Sequence, residues 1–198
     1  MANARAAGAG ICGATIWLTG LPASGKSTIA SEAERRLLER GVATIVLDGD
    51  DLRHGLNRDL GFSPGDRREN VRRITEVARL FARAGIVALV PVISPYAAGR
   101  ARSRAVHDDA GLAFAEVFVR TPLAECERRD PKGLYARARR GEVADFTGVH
   151  DPYEVPERPD LEVATMELSV GEAGELVVEL VADLTGRQLT AAGWDDHS

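Results

Sequence analysis

The residues whose types and spacing speak most directly of chemistry form one stretch, Gly20-Leu21-Pro22-Ala23-Ser24-Gly25-Lys26-Ser27-Thr28. An apolar run, Ala14 to Thr19, precedes it, and a long Ala/Glu/Arg/Leu segment follows. Strand, glycine loop and helix with the spacing G-x-x-x-x-G-K-S form a phosphate-binding P-loop. Gly20 and Gly25 let the backbone curl without a Cβ, so that successive N–H groups point into one concavity. The helix that follows turns its positive end toward bound phosphate. Lys26 is a point charge for the β- and γ-phosphates, and the Ser27 hydroxyl is placed to ligate Mg²⁺. The alternative, a tight turn that happens to hold Gly and Lys, requires neither the strand nor the helix. The motif reads as a nucleoside-triphosphate site.

A second set of chemical groups follows the next two apolar runs. Val42 to Leu47 ends in Asp48-Gly49-Asp50-Asp51, and Ile86 to Ile93 ends at Ser94. Ligands in parallel sheets sit at the carboxyl ends of the strands, so both groups are expected to face the P-loop. Of an acidic pair beside Mg·ATP, one carboxylate would accept the proton of an acceptor hydroxyl and the other would hold metal-bound water. Asp50 is assigned to this chemistry, whereas Asp51 is expected only to cap the next helix. Arg53, Arg67, Phe62 and Asn70 supply guanidinium forks and a ring, as an anionic, base-bearing acceptor requires. Arg68, Arg72 and Arg73 read as a solvated helix face. Residue types alone reach a P-loop kinase of a small anionic acceptor.

The elements that must position these groups follow from periodicity. Ile29, Ala33 and Leu37 recur at helical spacing until Gly41. Val71, Ile74, Val77, Ala78 and Phe81 share one face of a helix expected over Arg67 to Ala84. Ile86 to Ile93 and Ala113 to Val119 read as strands, with distortion expected at Pro91. Ala97 to Asp109 and Pro122 to Arg129 read as helices, followed by a short strand near Leu161 and a helix around Glu172 to Leu184. Alternating strands and helices predict an α/β fold of the P-loop NTPase type, a parallel sheet covered on both faces. Asp130 to Pro159 breaks the pattern with four prolines besides glycines and arginines, and is expected to be a mobile lid that closes to exclude water. Residues 1–13 read as a flexible leader, 14–186 as one kinase domain and 187–198 as a loose tail.

At 198 residues the chain suits one domain with a real core, and a net charge of −5 argues against a nucleic-acid partner. No apolar run approaches a membrane span and the N-terminus has no secretory signal, so a cytoplasmic protein is expected. Cys12 and Cys126 have no metal-ligand spacing and read as a reduced, hydrophobic pair. His54, His107, His150 and His197 show no ligand spacing either and are expected on surfaces or loops. Arg137, Arg139 and Arg140 read as a solvated lid face.

Longer strings carry a more specific signal. Leu47-Asp48-Gly49-Asp50-Asp51-Leu52-Arg53-His54-Gly55-Leu56-Asn57-Arg58-Asp59-Leu60-Gly61-Phe62-Ser63 resembles the adenylylsulfate kinase family. So do Asp66-Arg67-Arg68-Glu69-Asn70, Ile93-Ser94-Pro95-Tyr96, Asp130-Pro131-Lys132-Gly133-Leu134-Tyr135, Phe146-Thr147-Gly148 and Asp151-Pro152-Tyr153. The resemblance implies transfer of the ATP γ-phosphoryl to the 3′-hydroxyl of adenosine 5′-phosphosulfate (APS). It places Asp50 near that hydroxyl and Mg²⁺, with Asp48 its neighbour. It places Arg53, Arg67 and Asn70 on the phosphosulfate and sugar, Phe62 and Phe146 around the acceptor adenine, and Ile93 as a source of backbone groups. Ser94 matches a serine once proposed to be phosphorylated; in-line transfer needs no covalent step, so Ser94 is read as binding or positioning the acceptor. Lys132 is implied to stabilise phosphate charge from the lid, and Cys126 and Arg128 to line the ATP adenine. Asp51, where the family often has Asn, and Ala97-Ala98-Gly99, where relatives commonly carry charge, depart from the pattern. A homodimer is implied, and with no sulfurylase-like region here the preceding step falls to an ATP sulfurylase on another chain. A kinase of a different metabolite and a non-catalytic nucleotide-binding regulator are the alternatives.

Overall fold

A computed structural model describes residues 13–143 and 145–186. The leader and tail expected from the sequence, with Cys12 and His197, therefore lie outside the described residues. The sheet is built from β1 (Ala14–Thr19), β2 (Thr44–Val46), β3 (Val87–Pro91), β4 (Ala113–Arg120) and β5 (Leu161–Ala164). All pairings are parallel and the order is β2-β3-β1-β4-β5, so the strand that feeds the P-loop is central. Every residue of β1 is buried, as a strand covered on both faces must be.

Side chains alternate across the sheet and divide the core in two. Ile16, Leu18, Val87 and Leu89 meet Ile29, Ala30, Ala33 and Leu37 of α1 (Lys26–Glu39) and Val177, Val178 and Val181 of α7 (Val170–Thr185). Trp17, Ala88 and Val90 face the other way, onto Val71, Ile74 and Ala78 of α3 (Pro64–Arg83). Helix α4 (Ala97–Asp108) packs on α3 and β4. The P-loop-type α/β architecture expected from the sequence is present.

Several boundaries differ for local reasons. Helix α3 begins three residues before the expected Arg67, because Ser63 caps it by accepting from Asp66 N and Pro64 fits the first turn, where no N–H is needed. Helix α2 (Gly49–His54) follows β2, and its cap is Asp48, which accepts from Asp50 N, rather than the Asp51 expected to cap it. Strand β3 ends at Pro91, whose missing N–H removes one possible ladder bond, although Val92 N still donates to Leu18 O at 3.0 Å. After α5 (Leu123–Arg129), the stretch read as structureless contains α6 (Leu134–Arg139). The Asp130 carboxylate accepts from Tyr135 N and Ala136 N, and Tyr135 and Ala138 bury against Cys126 and Phe146. Arg139 and Arg140 are exposed and paired with Glu127 and Glu142.

The surface role expected for His107 is corrected. It is fully buried on α4, bonded to Thr15 Oγ1 at 2.9 Å and to Ser103 O at 2.8 Å, and desolvation lowers its pKa. Among the described residues, no helix is long and apolar enough to cross a membrane.

Candidate active site

The P-loop lies at the carboxyl end of β1, where the backbone adopts conformations that side chains would strain. Gly25 caps α1 at φ 103°, in the left-handed region. A Cβ on Gly20 would lie 2.7 Å from Val119 O and 2.9 Å from Ser24 Oγ. Lys26 opens α1 and is buried; its ammonium donates to Leu21 O at 2.7 Å, Gly20 O at 3.1 Å and Ser24 Oγ at 3.3 Å. Burial pushes its pKa down to about 8, against the pull of nearby Asp48 and Asp50. An anionic phosphate beside it would favour the charged form.

Ser27 Oγ donates to Asp48 Oδ2 at 2.6 Å, while Asp48 Oδ1 caps α2. A hydroxyl and a carboxylate side by side are the hard oxygen donors that suit Mg²⁺ held jointly with nucleotide phosphates. Asp48, rather than the Asp50 assigned from sequence, is the carboxylate on Ser27. Asp50, in the first turn of α2, instead forms an ion pair with Lys132 from the turn between α5 and α6. That contact raises the Lys132 pKa. Both side chains stay more than half exposed, so the pair contributes little and is readily exchanged for a phosphate.

The opposite wall is made of side chains. Arg53 donates to Gly61 O at 3.0 Å and lies 4.3 Å from the centre of the exposed Phe62 ring. Arg67 is buried and donates to Phe62 O at 2.9 Å, Thr147 Oγ1 at 2.7 Å and Asp145 O. It fastens the 145–147 segment onto α3. Phe146 is buried edge-on to Tyr135, ring centres 4.9 Å apart.

Ser94 is a non-glycine residue at φ 39° and is buried. Its Oγ accepts from Trp17 Nε1 at 2.9 Å and donates to Thr19 Oγ1 at 3.0 Å. Arg100 donates to its carbonyl at 2.8 Å, and Thr19 donates to Ile93 O at 2.7 Å. A hydroxyl so engaged suits a positioning role.

One cavity of about 1540 Å³ joins the two walls. It is lined by Pro22, Ala23, Gly25, Lys26, Ser27, Thr28, Asp48, Asp50, Arg53, Phe62, Arg67, Asn70, Ile93, Ser94, Lys132 and Phe146. Single ligand pockets span about 300–1,000 Å³, so there is room for two nucleotide-sized molecules. Gly20, Leu21 and Ser24 support the loop through their contacts with Lys26. Cys126 and Arg128 do not line the cavity: Cys126 is buried beneath Tyr135 and Phe146, and Arg128 turns outward to pair with Glu125. The next residue, Arg129, does line it. Sequence reasoning missed Arg129, Trp17, Thr19, Asn57 and Tyr135, whose hydroxyl donates to Pro22 O at 3.1 Å. Periodicity gave no signal for them except burial of Trp17 in a central strand.

A P-loop with its lysine, a Ser–Asp pair at its edge, and an arginine- and aromatic-lined wall across the cavity define a P-loop kinase. Residues 12–164 match the family described as adenylylsulphate kinase. The adenylyl-sulfate kinase of Emericella nidulans is 51% identical over 173 residues, 84% of each chain. The structure of the Mycobacterium tuberculosis APS kinase CysC in complex with AMPPNP and APS superposes with a TM-score of 0.84 at 56% identity, covering 85% of this chain and 97% of that one. The bifunctional enzyme CysN/CysC of M. tuberculosis is 56% identical over 85% of this chain, which spans only 27% of that longer protein. The chain belongs to the adenylylsulfate kinase family.

Proposed function

We propose that the protein transfers the γ-phosphoryl group of ATP to the 3′-hydroxyl of APS, giving 3′-phosphoadenosine 5′-phosphosulfate and ADP. One observation carries this reading. A single cavity holds a P-loop on one side, Arg53, Phe62, Arg67, Asn70 and Ile93 on the other, and the Asp50 carboxylate among its lining groups. Lys26 takes up charge on the transferring phosphoryl, and Asp50 orients or deprotonates the acceptor hydroxyl. Mg²⁺, held by Ser27 and Asp48 with the nucleotide phosphates, would neutralise charge on the γ-phosphoryl. Lys132 leaves Asp50 for phosphate as the 130–159 segment closes as a lid, and closure excludes water. Phe62 and Phe146 flank the acceptor adenine. The Ser94 hydroxyl, which accepts from Trp17 and donates its proton to Thr19, supports direct in-line transfer.

We further propose a cytoplasmic homodimer supplied with APS by an ATP sulfurylase on a separate chain; the bifunctional relatives join a second function to this domain on one chain. The reaction is tested by following ADP with ATP, Mg²⁺ and APS, beside AMP and no acceptor. ADP formed only with APS is the expected result, and equal ADP without acceptor overturns it. Asp50→Asn is expected to lower kcat by about 10²–10⁴-fold with ATP binding intact; unchanged turnover removes Asp50 from the chemistry.

A further inference from the structure

Asn57 lies behind the acceptor wall, fully buried between α2 and α3. Its backbone is fixed at both ends: its N–H donates to Leu52 O at 2.8 Å, and its carbonyl accepts from Leu60 N at 3.1 Å. Its side-chain amide donates to Asn70 Oδ1 at 3.0 Å. Among the described residues its own Oδ1 has no hydrogen-bond partner. Reversing the amide would put an NH₂ with two donors in that partnerless place, which is the worse loss. The bond to Asn70 is therefore directional.

Asn70, unlike Asn57, lines the cavity one helical turn beyond Arg67. An amide has one acceptor end and one donor end. With Oδ1 held from behind by Asn57, the Asn70 side chain offers its NH₂ as the free end. We propose that Asn57 is a positioning residue that sets the polarity of Asn70, so that this point of the wall donates a hydrogen bond. It thereby selects an acceptor whose facing group carries lone pairs, such as a phosphate, sulfate or ribose oxygen. This rests on the acceptor placement proposed above.

Asn57→Asp tests it, because a carboxylate can only accept. Asn70 must then turn its NH₂ inward to the introduced carboxylate and leave its carbonyl oxygen facing an anionic substrate. The KM for APS is expected to rise about tenfold or more, the loss of one hydrogen bond to a charged group. The KM for ATP should stay within about twofold, since the P-loop wall is untouched. Asn57→Ala, which frees Asn70 to rotate, should raise the APS KM less than Asn57→Asp does. A merely structural residue would shift both substrates together and make the cavity-forming alanine at least as harmful; that pattern overturns the inference. Asn70→Ala separates the two levels of the argument. If it raises the APS KM and Asn57→Asp does not, Asn57 has no such role. If neither variant moves the APS KM, the acceptor does not sit beside Asn70 and both readings fall. If the aspartate variant does not fold by thermal melt, the APS-to-ATP split of Asn57→Ala decides: APS alone affected supports the inference, and both affected equally overturns it.

Discussion

The two walls of the cavity recognise charge by opposite means. The nucleotide wall is one contiguous stretch, Gly20 to Thr28, built largely from backbone and seated between β1 and α1. The acceptor wall is assembled from side chains on α2, α3, the segment after β3 and the residues near Phe146, brought together by contacts such as Arg67 to Thr147. Backbone recognition needs glycine conformations and one lysine, and it is complete once a strand and a helix pack. Side-chain recognition needs a fastening behind each group. Arg67 ties down 145–147, Asn57 holds Asn70, and Trp17, Thr19 and Arg100 hold Ser94. Damage to the first wall should therefore fall on phosphoryl transfer, and damage to the second on acceptor affinity.

The sharpest break in this comparison is Lys26→Ala. Turnover is expected to fall about 10³-fold, as for loss of one preorganised charge-stabilising donor, while APS binding measured by calorimetry is kept. Arg67→Ala should do the reverse. It removes bonds from a buried guanidinium and releases 145–147, so the APS KM is expected to rise about 100-fold with the ATP KM little changed, as steady-state kinetics will show. A gentler perturbation is pH. Burial holds Lys26 at about 8, below its ordinary 10.5, so the free site loses its cation above about pH 8. The ATP KM should then climb by up to about tenfold per pH unit, with the APS KM following less. The sign for stability is opposite. The unfolded chain binds the extra proton between about pH 8 and 10.5, so this lysine's destabilisation is full below pH 8 and is relieved as pH rises through that window. The smallest effect is expected from Trp17→Phe, which keeps a ring but loses the N–H that reaches Ser94. One neutral hydrogen bond corresponds to about a two- to tenfold rise in the APS KM, with ATP unaffected.

The same contrast explains what the sequence made legible. The P-loop could be read because its parts are adjacent and its flanks carry clear periodicity. Buried strands such as β1 announced themselves as apolar runs. Helices α2 and α6 did not, since six residues are too few to display a period, and each depends on an aspartate placed to cap its amides. The choice between Arg128 and Arg129 turned on which way α5 faces, a property of packing. His107 looked like a surface residue because nothing near it in sequence names Thr15, its partner 92 positions away. Asn57 and Trp17 act through residues 13 and 77 positions distant, a relation that only the folded chain creates.

Helix α1, which carries Lys26 and Ser27, rests its other side on α7, the final described helix. Val177, Val178 and Val181 share a core with Ala30, Ala33 and Leu37, and Glu175 pairs with both Arg36 and Arg40. β1, made early, finds its two neighbours only when β3 and β4 have emerged. The order of synthesis is thus the reverse of the order of need. The segment that grips the nucleotide is translated before the helix that supports it. Nascent chains halted before Val170 should fail to be retained on immobilised ATP, and those that include α7 should be held. Nucleotide capture would then report whether the ribosome has passed α7.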